Sequence, residues 1–156
     1  MNSITLNNYV IRVGTGQSKS KLNAFDRALI GAGVSDYNLI KVSSVLPPHC
    51  QLQSKISLKK GLLLPSAFVS IYSDAIGDVI SAAVAIGIPE DDNEIGVIMK
   101  YSGCNSKELS EQTARSFAVE ALNDRKIYIG EITSISIECK VEVPEFYCAF
   151  ATVSMW

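Results

Sequence analysis

One histidine (His49), one tryptophan and four scattered cysteines (Cys50, Cys104, Cys139, Cys148) leave this chain short of the usual metal-binding and nucleophilic side chains. No Cys-x-x-Cys occurs, and adjacent side chains such as His49 and Cys50 point apart in an extended segment, so no metal site is expected. Ser-His-Asp or Cys-His catalysis would have to recruit His49, and nothing in the pattern supports that. Charge of one sign is lacking too. A formal net charge of −2 gives no electrostatic case for nucleic acid or an anionic membrane as partner. The most apolar run, Val79 to Ile88, is roughly half the length needed to span a bilayer. The start, Met1 to Asn8, has neither the basic nor the apolar region of a signal peptide. These absences point to a cytoplasmic address and to reduced thiols, several of them buried.

What is present describes one globular domain over residues 1–156, with 47% hydrophobic residues and enough length to bury a core. Asn8 to Gly14 reads as a first strand, followed by a flexible loop at Gly14-Thr-Gly-Gln-Ser18. That loop lacks the third glycine of a dinucleotide fingerprint. Ser20 can cap a helix over about 21–32, with Leu22, Phe25, Leu29 and Ala32 inward and Gly31 or Gly33 at its exit. Residues 49–60 are polar and basic and suit a surface excursion. Strand character resumes at 61–73, with Ala67, Val69 and Ile71 on one side. Small and β-branched residues at 79–88 suit a strand buried on both faces. After a turn at 89–93, residues 94–101 read as another strand. Asn105 and Glu108 form a capping box for a helix to about Arg125, with Leu109, Phe117, Ala118, Ala121 and Leu122 inward. Ile132–Val141 alternates well and Phe146–Met155 is apolar, giving two closing strands. Two amphipathic helices with six or more strands indicate an α+β layered domain.

One stretch stands apart: Asn38-Leu-Ile-Lys-Val-Ser-Ser-Val-Leu-Pro-Pro48. Its apolar and β-branched residues predict a buried strand, which Pro47-Pro48 ends. Ser43 and Ser44 then lie near the strand's end, where a hydroxyl is ordinarily satisfied by a neighbouring carbonyl. Asn38 by itself reads as a turn former. Asp26 sits at the edge of the helix's apolar face, where it can be a solvated carboxylate, a partner of Arg27 or Lys21, or a bidentate acceptor for a guanidinium.

Three blocks, Leu22-Asn-Ala-Phe-Asp26, Asn38-Leu-Ile-Lys-Val-Ser-Ser44 and Val45-Leu-Pro-Pro48, together resemble the pyruvoyl-dependent arginine decarboxylases. The similarity continues through Ile80-Ser-Ala-Ala-Val-Ala-Ile86, Gly96-Val-Ile-Met99 and Cys148-Ala-Phe-Ala151. The resemblance implies a four-layer αββα sandwich, assembled as a homotrimer or dimer of trimers with sites between subunits. It implies that the chain cuts itself between Ser43 and Ser44. The Ser44 hydroxyl attacks the Ser43 carbonyl, and elimination from the resulting ester gives dehydroalanine, which hydrolyses to a covalent pyruvoyl group at position 44. That ketone would form a Schiff base with the α-amine of L-arginine and take up the electrons released with carbon dioxide, giving agmatine for polyamine biosynthesis. Asp26 falls on the family's guanidinium-binding position. Asn38 matches the asparagine that orients the cleavage and substrate groups.

Lys100 breaks the pattern. The family carries a catalytic glutamate before the residue aligned with Tyr101, acting as a proton donor, and this chain reads Ile98-Met-Lys-Tyr101. An ammonium can donate a proton, yet it needs desolvation to do so near neutrality, and its charge opposes a cationic substrate. Three readings follow: an active arginine decarboxylase with an altered donor, a pyruvoyl decarboxylase of another amino acid, or an impaired homologue serving as a ligand-binding or partner subunit.

Overall fold

The computed structural model describes residues 3–156; Met1 and Asn2, where the reading of the N-terminus begins, lie outside the described residues. The elements in order are β1 (Asn8–Ser18), α1 (Lys21–Ala32), β2 (Asn38–Lys41), β3 (Val45–Leu46), β4 (Gln51–Leu52), β5 (Leu63–Ser73), β6 (Val79–Pro89), β7 (Gly96–Gly103), α2 (Lys107–Asp124), β8 (Ile129–Lys140) and β9 (Phe146–Met155). They form a five-stranded sheet, β2-β5-β9-β1-β4, and a four-stranded sheet, β3-β7-β6-β8.

Period-two alternation divides the side chains among three hydrophobic clusters. Between the sheets lie Ala67, Ala149, Ala151 and Val153 of one sheet against Ala82, Val84, Ile86 and Ile98 of the other. The opposite face of the five-stranded sheet, through Leu64, Cys148 and Phe150, meets Ala24, Ala28 and Ala32 of α1. The opposite face of the four-stranded sheet, through Ala83, Ala85 and Val97, meets Ala114, Ala118 and Leu122 of α2. The result is an α+β sandwich. β6 is buried on both faces as expected, and β8 places Ile135, Ile137 and Cys139 toward the inter-sheet core.

The Gly14 to Ser18 segment corrects the expectation of a flexible loop: β1 runs straight through it. Its glycines make room for α1. A Cβ on Gly14 would lie 2.1 Å from the Ala28 carbonyl oxygen, and one on Gly16 would lie 2.1 Å from that of Ala24. The small stripe Ala24-Ala28-Ala32 is therefore the inward face of α1, and Leu22, expected inward, is 75% exposed. Ser20 caps this helix by accepting from the Asn23 amide, and Gly33 ends it in the left-handed region at φ 74°.

α2 departs in the same way. Ser110, Ala114, Ala118, Ala121 and Leu122 are buried, whereas Leu109 and Phe117 lie on the exposed side. Its cap is Ser106, which accepts from the Leu109 amide, rather than Asn105. Asn105 instead joins a polar knot, accepting from the Ser81 and Ser110 hydroxyls at 2.8 and 2.7 Å. The buried strand expected over residues 38–46 is two short strands in different sheets, with Ile40 and Val45 each 42% exposed. Both are edge strands. An apolar run looks the same whether it stays in one sheet or changes sheets.

Candidate active site

Ser43 and Ser44 occupy the gap where the chain leaves one sheet for the other. On the near side, β2 pairs in parallel with β5, with Lys41 opposite Ser66. The Val42 amide extends that pairing by donating to the Ser66 carbonyl at 3.1 Å. On the far side, β3 pairs antiparallel with β7, with Val45 opposite Val97. Here the Ile98 amide donates to the Ser44 carbonyl at 2.8 Å. The Ser43–Ser44 peptide is thus strung between two anchored ends. Ser43 is exposed and Ser44 half-buried.

Lys100 lies on β7 opposite Val84 of β6. Ile98 packs into the inter-sheet core, while Val97, Met99 and Tyr101 pack toward α2. Alternation therefore puts Lys100 on the inter-sheet face, the side occupied by Ile98. Burial, and then the charge of Lys41, push its pKa below the ordinary lysine range. The desolvation that Lys100 needs in order to give up a proton near neutrality is thus present in direction. Lys41 went unnoticed in the sequence, although it stands two residues before Ser43. Its ammonium lies 5.1 Å from the centre of the Phe68 ring.

Asp26 is exposed on α1 beside Phe25, whose ring packs 6.5 Å from Phe68. This aromatic contact joins Asp26's stretch of helix to the face where Lys41 lies. The two cations that could neutralise Asp26 are engaged elsewhere. Arg27 donates to the Gln17 carbonyl, and Lys21 sits 4.6 Å over the Tyr72 ring. Asp26 has no ion pair among the described residues. Asn38 is exposed, and its side-chain amide donates to the Gly61 carbonyl at 2.9 Å, tying the start of β2 to the incoming end of β5. Within one chain that amide holds a loop. The register of β3 on β7 therefore sets Ser43, Ser44 and Lys100 along one sheet edge, while the Lys41 ammonium lies with Phe68 on the α1 side of the other sheet. Asp26 stands on the outer surface of α1, whereas Asn38, in step with Ile40 and Val42 and alternating with Leu39, lies on the inter-sheet side of β2.

The concavity nearest the serines along the chain, of about 270 Å³, begins at Leu46 and runs through Pro47, His49 and Cys50 to Glu94; neither serine lines it. The four thiols are free. Burial pushes Cys139 up to about 11 and Cys148 up to about 12, making both poor nucleophiles.

The family model for pyruvoyl-dependent arginine decarboxylase matches residues 8–155. A protein of that name from Methanococcus aeolicus is 40% identical over 92% of this chain and 86% of its own length. Its counterpart from Methanocaldococcus jannaschii is 39% identical over the same shares. One from Thermococcus kodakarensis is 39% identical over 85% of this chain and 84% of its own. On a match that runs through every strand and helix, the chain belongs to the pyruvoyl-dependent arginine decarboxylase family.

Proposed function

We propose that this chain cuts itself between Ser43 and Ser44 and, carrying a covalent pyruvoyl group at position 44, converts L-arginine to agmatine and carbon dioxide. The observation that carries this reading is the anchored Ser43–Ser44 link. Val42 is fixed to one sheet and the Ser44 carbonyl to the other, so the reacting peptide is held at both ends without being part of a strand. Fixing the ends keeps the Ser44 hydroxyl beside the Ser43 carbonyl, which favours an intramolecular attack. The same arrangement fits the group itself: position 44 stays tied to Ile98 after cleavage, on the face where Lys100 lies. A ketone there supplies an electron sink for decarboxylation.

The chain's own residues supply binding and proton chemistry. Asp26, exposed and without an ion pair, offers the carboxylate for a guanidinium. Lys100 stands where the family's glutamate does, and its lowered pKa makes it a better proton donor near neutrality than an ordinary lysine. Asn38 fixes the strand that delivers Ser43.

Asp26 lies on the exposed side of α1 and the serines lie where the chain passes between the sheets, a separation that supports assembly as a homotrimer, or a dimer of trimers, with the four-layer αββα subunits completing one another's sites. Apolar side chains left uncovered on β2 and at the start of β5 support this too: Ile40 at 42%, Leu62 at 47% and Leu63 at 63% exposure. No helix among the described residues is long and apolar enough to cross a membrane, which is compatible with the cytoplasmic address proposed for the enzyme.

Intact mass of the purified protein with N-terminal sequencing tests the cleavage. Two fragments, 1–43 and a blocked chain beginning at 44, are expected, and agmatine should then accumulate from arginine. A single uncut chain overturns the proposal. Cut chains that decarboxylate another amino acid and leave arginine untouched overturn its substrate.

A further inference from the structure

The register of β3 on β7 gives Lys100 a second capability, an inference that rests on the self-cleavage proposed above. Val45 lies opposite Val97 and Leu46 opposite Gly96. The bond from the Ile98 amide to the Ser44 carbonyl carries the pairing one step back, so that Ser44 faces Ile98. Lys100 is the next residue of β7 on the Ile98 face. Position 44 and Lys100 are therefore diagonal neighbours across an antiparallel pair. Such neighbours lie ~7–8 Å apart at their Cα atoms, within reach of a long side chain. The pairing of Lys100 with the buried Val84 holds its backbone in the sheet.

The character of the amine completes the case. Lys100 is half-buried and has no ion pair among the described residues. Burial and the neighbouring Lys41 both favour its neutral form. A lysine desolvated, or set beside another cation, is an amine that attacks carbonyls near neutrality. A carboxylate in its place could not do so.

We propose that in the processed chain Lys100 Nζ condenses with the ketone at position 44. A C=N bond replaces the C=O bond and one water leaves, so no oxidant or reductant is needed. Both reacting groups belong to the 44–156 fragment, and the ring they close is intramolecular, which favours condensation over attack by a free amine. An incoming α-amine then takes the place of Nζ by amine exchange, the C=N bond is kept, and Lys100 leaves as a free amine. That amine, after picking up a proton, stands beside the carbon that needs one. In this account Lys100 protects the ketone at rest and becomes the proton donor once substrate has displaced it.

Borohydride treatment of the native, purified protein, followed by denaturing intact mass, tests this. Borohydride fixes a C=N bond as a secondary amine and turns a free ketone into an alcohol. The expected 44–156 fragment has lost one water and gained two hydrogens relative to its ketone form, and a tryptic map joins the peptide beginning at 44 to the one containing Lys100. In Lys100→Met and Lys100→Arg the fragment should gain two hydrogens alone. A wild-type fragment that gains only two hydrogens overturns the proposal and leaves self-cleavage standing. Fragments 1–43 and 44–156 found joined would assign the bond to a lysine of the shorter fragment, and overturn it as well. An uncut wild-type chain overturns this proposal and the self-cleavage reading together. If neither variant is cut, the wild-type peptide map still decides.

Discussion

The Ile98 amide donates to the Ser44 carbonyl at 2.8 Å, a bond that uses only the backbone of residue 44. Ser44→Ala therefore keeps the anchor and loses the attacking hydroxyl. We expect one uncut chain by intact mass. We also expect a thermal stability within about 0.5 kcal/mol of an uncut reference, because no buried contact is removed. Normal fragments from this variant would end the proposal that Ser44 is the nucleophile.

Asp26 should separate substrate binding from processing. Its carboxylate is exposed and lacks an ion pair, so Asp26→Asn removes an acceptor for a guanidinium without stranding a buried partner. A charge-assisted pair at such a site is worth about 1.5–3 kcal/mol, which sets the expected fall in kcat/KM for arginine at roughly tenfold or more, carried mainly by KM. Fragments 1–43 and 44–156 should still form. An unchanged KM would remove Asp26 from the substrate's guanidinium.

How far the sequence could be read varied with the range of the forces involved. Local signals were legible: Ser20 capping α1, Gly33 ending it, the two buried faces of β6 and the alternation of β8 all depend on neighbours within a few residues. Long-range close approach was not. Gly14 and Gly16 have the local look of a loop, and only the seat of α1 against β1 shows why a side chain is forbidden there. The same contact turns the helix so that alanines rather than Leu22 face inward. Ser43 and Ser44 were identified by resemblance, yet their position between two sheets leaves no mark in a continuous apolar run. Lys41 was overlooked because its influence on Lys100, which is far from it in the chain and in the other sheet, arises only in the folded protein.

Gly16→Ala tests that seat. The added Cβ would meet the Ala24 carbonyl oxygen at 2.1 Å and the Ala28 amide nitrogen at 2.5 Å, both rigid backbone. Overpacking of this kind costs about 1–3 kcal/mol or more, to be read as a lowered midpoint in urea. Gly61 has open space around it and φ +86°. Gly61→Ala should therefore cost only the strain of the left-handed region, about 1 kcal/mol. Equal losses in the two variants would mean that sterics at β1 are not what requires glycine.

The thiols should divide by burial. Cys104 is exposed, whereas Cys148 is buried and pushed up to about 12. Thiolate fraction and access both govern alkylation, so iodoacetamide at mildly alkaline pH should modify Cys104 readily and leave Cys148 intact until the chain unfolds. Early labelling of Cys148 would show that the packing of α1 on β9 opens in the native state.

Lys100 carries a prediction about stability and pH, made in the Ser44→Ala background, where no ketone forms. Its folded pKa is pushed down by burial and by Lys41. In the unfolded chain it returns to the ordinary value for lysine, about 10.4. Between those two values the unfolded state holds the extra proton, so stability rises with pH through that window, and below it the full cost of the buried charge is present. Lys100→Met keeps the apolar stem and removes the charge. It should be the more stable protein near pH 7, by less than about 1 kcal/mol because the group is partly exposed to solvent. The gap between the two should narrow steadily as pH approaches 10. Urea unfolding of both proteins across pH 6–10 provides the comparison, and taking their difference cancels the other groups that titrate in that range. A gap that stays constant, or widens with pH, would show that Lys100 holds its proton in the folded chain as firmly as a lysine in water, and would remove the free amine on which its attack on the ketone depends.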